Sequence, residues 1–257
     1  MTAGVTAIAA QLAPASYPNS QNVQATIVGI STSLDISLKS PLLWIAKGAT
    51  LDVPVTARVL VSGVPLGSRS VDYFLTKGTA SFSVASATTD ASGYASSMLH
   101  IPSINGDVQA SVCVAPADAP CQTFYGTAVA PASLRIQAIS GVTQVATAGQ
   151  TFQPVVVAVT DLLTPPHPIT GAAVLFDSAV GRLPANAPAP WTSGNTQSPV
   201  AQPSMPVVLA TSQITSLTDV NGVAALQPSN AISGPTLTLG IASIGSSVLP
   251  FQLQSVP

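Results

Sequence analysis

The chain has 257 residues, of which only 6% are charged, with a formal net charge of -2. There is no basic stripe for nucleic acid, and no run of 18 apolar residues that would encode a membrane span. The chain has no Glu and is rich in Pro, which withholds strong helix formers and punctuates helices, so the composition predicts an all-β protein with many turns.

Residues 1–32 carry a worn corner, Thr2-Ala3-Gly4-Val5-Thr6-Ala7, a turn at Asn19-Ser20-Gln21-Asn22 and an alternating run, Val23-Gln24-Ala25-Thr26-Ile27. They read as the terminal strands of a partial repeat. Two strands cannot bury an apolar face alone, so this segment is expected to be the end of a repeat whose earlier strands lie upstream. The alternative is strand addition to a neighbouring copy, which would build a head-to-tail filament. Met1 is not followed by a basic and then an apolar region, so a secretion signal would have to be encoded outside this sequence.

Residues 33–130 and 131–257 read as two long repeats. Ser33-Leu34-Asp35-Ile36 matches Ser133-Leu134-Arg135-Ile136, Gly48 matches Gly149, and Pro54-Val55 matches Pro154-Val155. Pro65-Leu66-Gly67 is aligned with Ile169-Thr170-Gly171, and Val71 and Phe74 with Val174 and Phe176. Val53, Val55, Ala57, Val59 and Val61 alternate with other residues, as do Val155, Val157 and Val159, which predicts strands with one face in the core. The runs Val108–Val112 and Leu237–Ile241 are read the same way. Each repeat thus offers the strand count of an immunoglobulin-like sandwich. The linker Ala130-Pro131-Ala132 is short enough to predict two sandwiches end to end as a semi-rigid rod.

The strongest internal match is Thr89-Asp90-Ala91-Ser92-Gly93-Tyr94-Ala95 with Thr218-Asp219-Val220-Asn221-Gly222-Val223-Ala224. Asp90 and Asp219 can close Asx-turns, and Gly93 and Gly222 can supply positive φ, so both stretches read as corners between strands. The alternative is a calcium loop, which needs several closely spaced oxygen ligands; one Asp per corner argues against it, and no metal or other cofactor is expected.

The second repeat is longer because of a Pro-rich insertion, 181–213, read as a loop lying on the sandwich. It contains Trp191, either an anchor that packs the loop down or a contact for a partner. His100 and His167 are the two histidines, and neither stands beside a nucleophile motif, so no catalytic residue is assigned.

In order, then, come an apolar Val-x-Val-x-Val strand, a Gly/Pro corner before a Val-x-x-Phe strand, and Thr-Asp-x-x-Gly-x-Ala. This pattern resembles the bacterial Ig-like repeats of invasin and intimin type, the group 1 Ig-like domains. The resemblance implies tandem Ig-like β-sandwiches and a stalk or adhesive role in a large extracellular or cell-surface protein, without enzyme activity. Expected partners are neighbouring Ig-like repeats, copies of the chain, or a surface protein or glycan. An accessory binding module attached to a secreted enzyme is the alternative function.

Cys113 and Cys121, with seven residues between them, sit at the end of one predicted strand and the start of the next. The spacing suits a staple across a hairpin and an oxidising compartment; so small a ring is worth about 2–3 kcal/mol. Thiol titration of unreduced, denatured protein is expected to find no free thiol; two free thiols would refute the pairing.

Overall fold

A computed structural model describes residues 34–115, 120–147, 149–183, 207–229 and 234–257. The first repeat contributes β1 (Leu34–Leu38), β2 (Leu42–Ala46), β3 (Leu51–Val61), β4 (Val64–Pro65), β5 (Ser70–Lys77), β6 (Ser81–Phe82), β7 (Ser86–Thr88), β8 (Tyr94–Ile101), β9 (Val108–Val114) and β10 (Cys121–Val129). After a 3-10 turn, Pro131–Ser133, come β11 (Leu134–Ser140), β12 (Thr143–Thr147), β13 (Val155–Asp161), β14 (Ile169–Thr170), β15 (Ala173–Arg182), β16 (Val207–Leu217), β17 (Val223–Leu226), β18 (Thr236–Ile244) and β19 (Ser247–Val256). The first sheet has the order β1-β3-β8-β6, with β4 also on β3, and the second β14-β2-β10-β9-β5-β7. The third is β11-β13-β17 and the fourth β12-β19-β18-β15-β16. The chain is all-β, with tandem immunoglobulin-like sandwiches built around two hydrophobic cores.

The period-two runs supply those cores. Val53, Val55, Ala57 and Val59 of β3 are buried, as are Val155, Val157 and Val159 of β13 and Val108, Ala110, Val112 and Val114 of β9. At roughly 1.5–3 kcal/mol for each fully buried Val-sized side chain, these faces drive the pairing of the sheets.

Three features depart from the expected pattern. In β18 it is Thr238, Gly240, Ala242 and Ile244 that share the core-facing side, while Leu239 and Ile241 stand exposed on the outer one. Phe251 enforces this face: it pairs with Gly240 across the strands, and a Cβ on Gly240 would lie 2.2 Å from its ring. Phe251 also meets Phe176 edge-on, with centroids 6.4 Å apart. Second, Tyr73, not Phe74, takes the place of Phe176; Tyr73 is buried and Phe74 is half exposed, because adjacent strand residues face opposite ways. Third, the loop reading of 181–213 fails at both ends. Gly181 and Arg182 belong to β15, and Val207 to Gln213 belong to β16, which pairs with β15. Its prolines all lie between these arms.

The Thr-Asp-x-x-Gly corners are built alike. Thr218 is buried; its Oγ1 accepts from Ala172 N (2.8 Å) and donates to Ile169 O (2.6 Å). Thr89 does the same with Arg69 N (2.9 Å) and Leu66 O (2.7 Å). Asp219 Oδ1 accepts from Asn221 N and Val223 N, both at 2.9 Å. Asp90 Oδ1 accepts from Ser92 N (2.8 Å) and Tyr94 N (2.9 Å). Gly93 and Gly222 have φ of +78° and +73°, and their carbonyls accept from Val59 N and Val159 N, both at 2.8 Å.

These bonds correct the alignment of the repeats by one residue. Leu66 is equivalent to Ile169, Gly67 to Thr170 and Ser68 to Gly171, since Ser68 N and Gly171 N each donate to the carbonyl of the corner threonine at 2.9 Å. Ser68 adopts φ +59° where Gly171 adopts φ +71°. Matching glycine to glycine misled the alignment because a serine occupies the left-handed position in the first repeat.

A Cβ on Gly222 would lie 2.6 Å from Val159 O, whereas Gly149 (φ +84°) has nothing within 4 Å. Gly149→Ala is therefore expected to cost about 1 kcal/mol, the left-handed penalty alone. Gly222→Ala is expected to cost about 3 kcal/mol in urea unfolding, because the clash adds to that penalty. Equal costs would show that the close approach does not matter.

Candidate functional site

The side chains brought together across the two repeats lie at their junction. β2 pairs in parallel with β10 on one side and with β14 on the other; the second contact sets Ile169 opposite Trp44 and Thr170 opposite Ile45. A strand of the second repeat thus completes the edge of a sheet in the first. Ile169 and Ala46 belong to the same buried cluster, with Trp44, Ala49 and Val129 packed against it. Gly171 allows the approach: a Cβ there would be 3.0 Å from Ala49 Cβ and 3.1 Å from Leu51 Cδ2.

Over this pairing, the Trp44 indole stacks on the His167 imidazole, with ring centroids 3.7 Å apart and planes 9° from parallel. His167 is held by Asp161, whose carboxylate is buried. His167 Nδ1 donates to Asp161 Oδ2 at 2.7 Å, and the backbone N–H groups of His167 (2.9 Å) and Leu163 (3.2 Å) donate to Asp161 Oδ1. An ionised aspartate only accepts, so the shared proton sits on Nδ1. Asp161 N closes the loop by donating to His167 O at 3.1 Å. The loop from Asp161 to His167 is therefore folded around one carboxylate, and it presents a fixed aromatic face to Trp44. Leu162 and Leu163, at its crown, are 61% and 62% exposed.

His100, by contrast, bonds Asp52 Oδ1 through Nδ1 at 2.6 Å on the exposed surface of β8 and β3. Among the described residues no group of three or more His, Cys or Asp side chains is placed to hold a metal ion. Asp90, Asp161 and Asp219 each point an oxygen at backbone N–H donors of their own loop. A cation would have to compete with those donors.

The expected site residues fall in separate places. Cys113 and Cys121 face each other directly across β9 and β10, with Cα atoms 4.1 Å apart and the sulfurs bonded. Asp90, Gly93, Asp219 and Gly222 form the two corners. Trp191 lies outside the described residues, as do residues 1–32. The unexpected apolar side of β18 lines a shallow trough of about 590 Å³ on the outer face of the fourth sheet, with Ala179, Pro250 and Gln252. Trp44 was not singled out by sequence. It has no motif around it, and its partner lies 123 positions away, counting from 44 to 167.

No protein-family model matches the chain, and no curated protein matches it. Among solved structures it is similar to the D0-D1 domain of Intimin, at 20% identity over 87% of this chain and 98% of that one, with a TM-score of 0.32. It is also similar to the Yersinia pseudotuberculosis adhesin InvE, at 19% identity over 88% of this chain and 61% of that one (TM-score 0.31). For domains 5-6 of the S-layer protein SbsC the identity is 12%, over 88% of this chain and 98% of that one (TM-score 0.31). At these TM-scores the likenesses carry no argument, and the fold rests on this chain's own sheets and cores.

Burial pushes the Asp161 carboxyl up, but the backbone N–H of His167, its ring and the N–H of Leu163 outweigh burial and hold it below its ordinary 3.8. A lowered carboxyl contributes stability that is complete above the ordinary range and is lost as pH falls through the lowered value. Asp161→Asn is expected to be less stable than the parent by about 2 kcal/mol at neutral pH. The gap should narrow as acid unfolding is followed below about pH 4. A gap independent of pH would show that the charge of Asp161 plays no part.

Proposed function

We propose that the chain is a non-enzymatic structural and adhesive module of a secreted or cell-surface protein, in which tandem Ig-like units, 33–130 and 131–257, are held in a fixed relation. The finer reading places these units with the invasin- and intimin-type group 1 Ig-like repeats, on the strength of the Thr-Asp-x-x-Gly corners. The observation that carries the proposal is the junction. Inter-domain contacts that allow free rotation are small and polar, whereas here a shared sheet edge, an apolar cluster and the stacked Trp44–His167 pair oppose bending together. Such a joint suits a stalk that must hold a distal surface away from its anchor.

Other features agree with this reading. The bond between Cys113 and Cys121 fits an oxidising compartment. Among the described residues no helix is long and apolar enough to cross a membrane, which leaves any β-barrel anchor open. Partners of this module are neighbouring Ig-like repeats, and a surface protein or glycan at its exposed end.

Spin labels on cysteines introduced at the exposed Ser92 and Ser246, one in each unit, test the joint. The parent is expected to give one narrow distance distribution by pulsed electron resonance, and Trp44→Ala a broad one. A broad distribution in the parent would overturn the stalk reading.

A further inference from the structure

We propose that β16 is a self-association edge: it pairs antiparallel with β16 of a second copy about a two-fold axis, joining two fourth sheets into one. This goes beyond the stalk reading and stands or falls separately from it.

Four observations converge on this strand. First, β16 ends its sheet, and among the described residues β15 is its one strand neighbour there. It is 11 residues long, and the register shift at Leu209 leaves a regular edge from Ala210 to Leu217. Second, its described residues are largely exposed. Every residue from Val208 to Thr215 is exposed, including Val208 at 62% and Ile214 at 45%, and Leu217 beyond them is at 60%. Thr211, Gln213 and Thr215 lie on the outer side of the sheet, set opposite Ala179, Asp177 and Leu175, and the fourth sheet has five strands against three in the third. Third, no charged residue occurs between 207 and 217. Edge strands are ordinarily blunted by charge, proline, shortness or a bulge; here the bulge at Leu209 is confined to one end, and the charges of the neighbouring strand, Asp177 and Arg182, stand one strand inward on β15. Fourth, the first repeat manages the same place differently. There the chain crosses from β5 to a two-residue β6 on the opposite sheet and returns as a three-residue β7, leaving only short edges.

A second copy is the occupant that the strand itself specifies. The open N–H and C=O groups of an antiparallel edge are complementary to the same edge turned about a two-fold axis. The strand's exposed apolar residues lie towards its ends, Val208 and Leu209 at one and Ile214 and Leu217 at the other, with Thr211, Ser212 and Gln213 between. Antiparallel pairing therefore sets apolar ends against apolar ends.

Sedimentation of the full chain over a dilution series is expected to show a reversible monomer–dimer equilibrium. Ile214→Lys, and independently Thr215→Lys at an exposed polar position, should raise the dissociation constant about 100-fold by setting an unpaired charge in the paired edge, with circular dichroism and the melting temperature of the dilute monomer unchanged. Oxidised Ser212→Cys should form a disulfide-linked dimer, while Ser246→Cys should not. A monomer at every concentration overturns the proposal. So does a dimer that both lysine variants leave intact, or one that Ser212→Cys fails to link.

Discussion

Everything in the second repeat depends on how closely the Gly222 backbone is pressed to the central strand β13. Its carbonyl accepts from Val159 N while its α-carbon faces Val159 O, leaving no room for a side chain. That contact turns the chain into β17 with its apolar side inward. The preceding threonine then does a separate job. A buried hydroxyl must find partners or forfeit its hydration, and Thr218 finds them in the carbonyl of Ile169 in β14 and the N–H of Ala172 just beyond it. One heptapeptide therefore fixes three segments: the strand it starts, the strand it leans on, and the short β14 beside it.

This explains why the junction is well determined although the linker is only a turn. Thr218 holds Ile169, Ile169 pairs with Trp44, and Trp44 stacks on His167, whose ring is oriented by Asp161 at the end of β13. The relation between the repeats is set by groups that the second repeat has already placed for its own folding. The entropy of ordering the interface is then largely spent within one repeat, which is the condition for a stiff joint.

The parts of the fold legible in sequence were those where one face is apolar and the other polar. β3 and β13 are such strands, and the period of two read them correctly. β18 is not: Leu237 is buried, but Leu239 and Ile241, in the same apolar row that the alternation assigned to the core, are exposed, while the opposite row contains Gly240 to make room for Phe251. A glycine in a strand is a packing statement about another strand, and no window of local sequence contains that other strand. The same limit hid the junction. Asp161 and His167 are six residues apart, and nothing in the local sequence marks Trp44 as their partner. Only the tertiary contact shows that the loop is folded around the aspartate and that its histidine faces a neighbour. The corners were legible because the bonds of their aspartates run within four residues, as in those of Asp219 with Asn221 and Val223.

The repeats are alike in their corners and unlike at their ends, and that difference gives the junction its specificity. The position of Trp44 in β2 is occupied by Val145 in β12, since both strands pair in parallel with the last strand of their own repeat. The place of the Asp161–His167 loop in the first repeat is taken by the tight turn Ser62-Gly63 between β3 and β4. Neither element of the aromatic stack is therefore duplicated. A repeat placed against β12 would meet the exposed Val145 without an indole, and one placed ahead of β4 would meet no histidine loop. The stack thus distinguishes this pairing from the others that the shared fold would permit, which is how tandem modules of one architecture keep a fixed order of contacts.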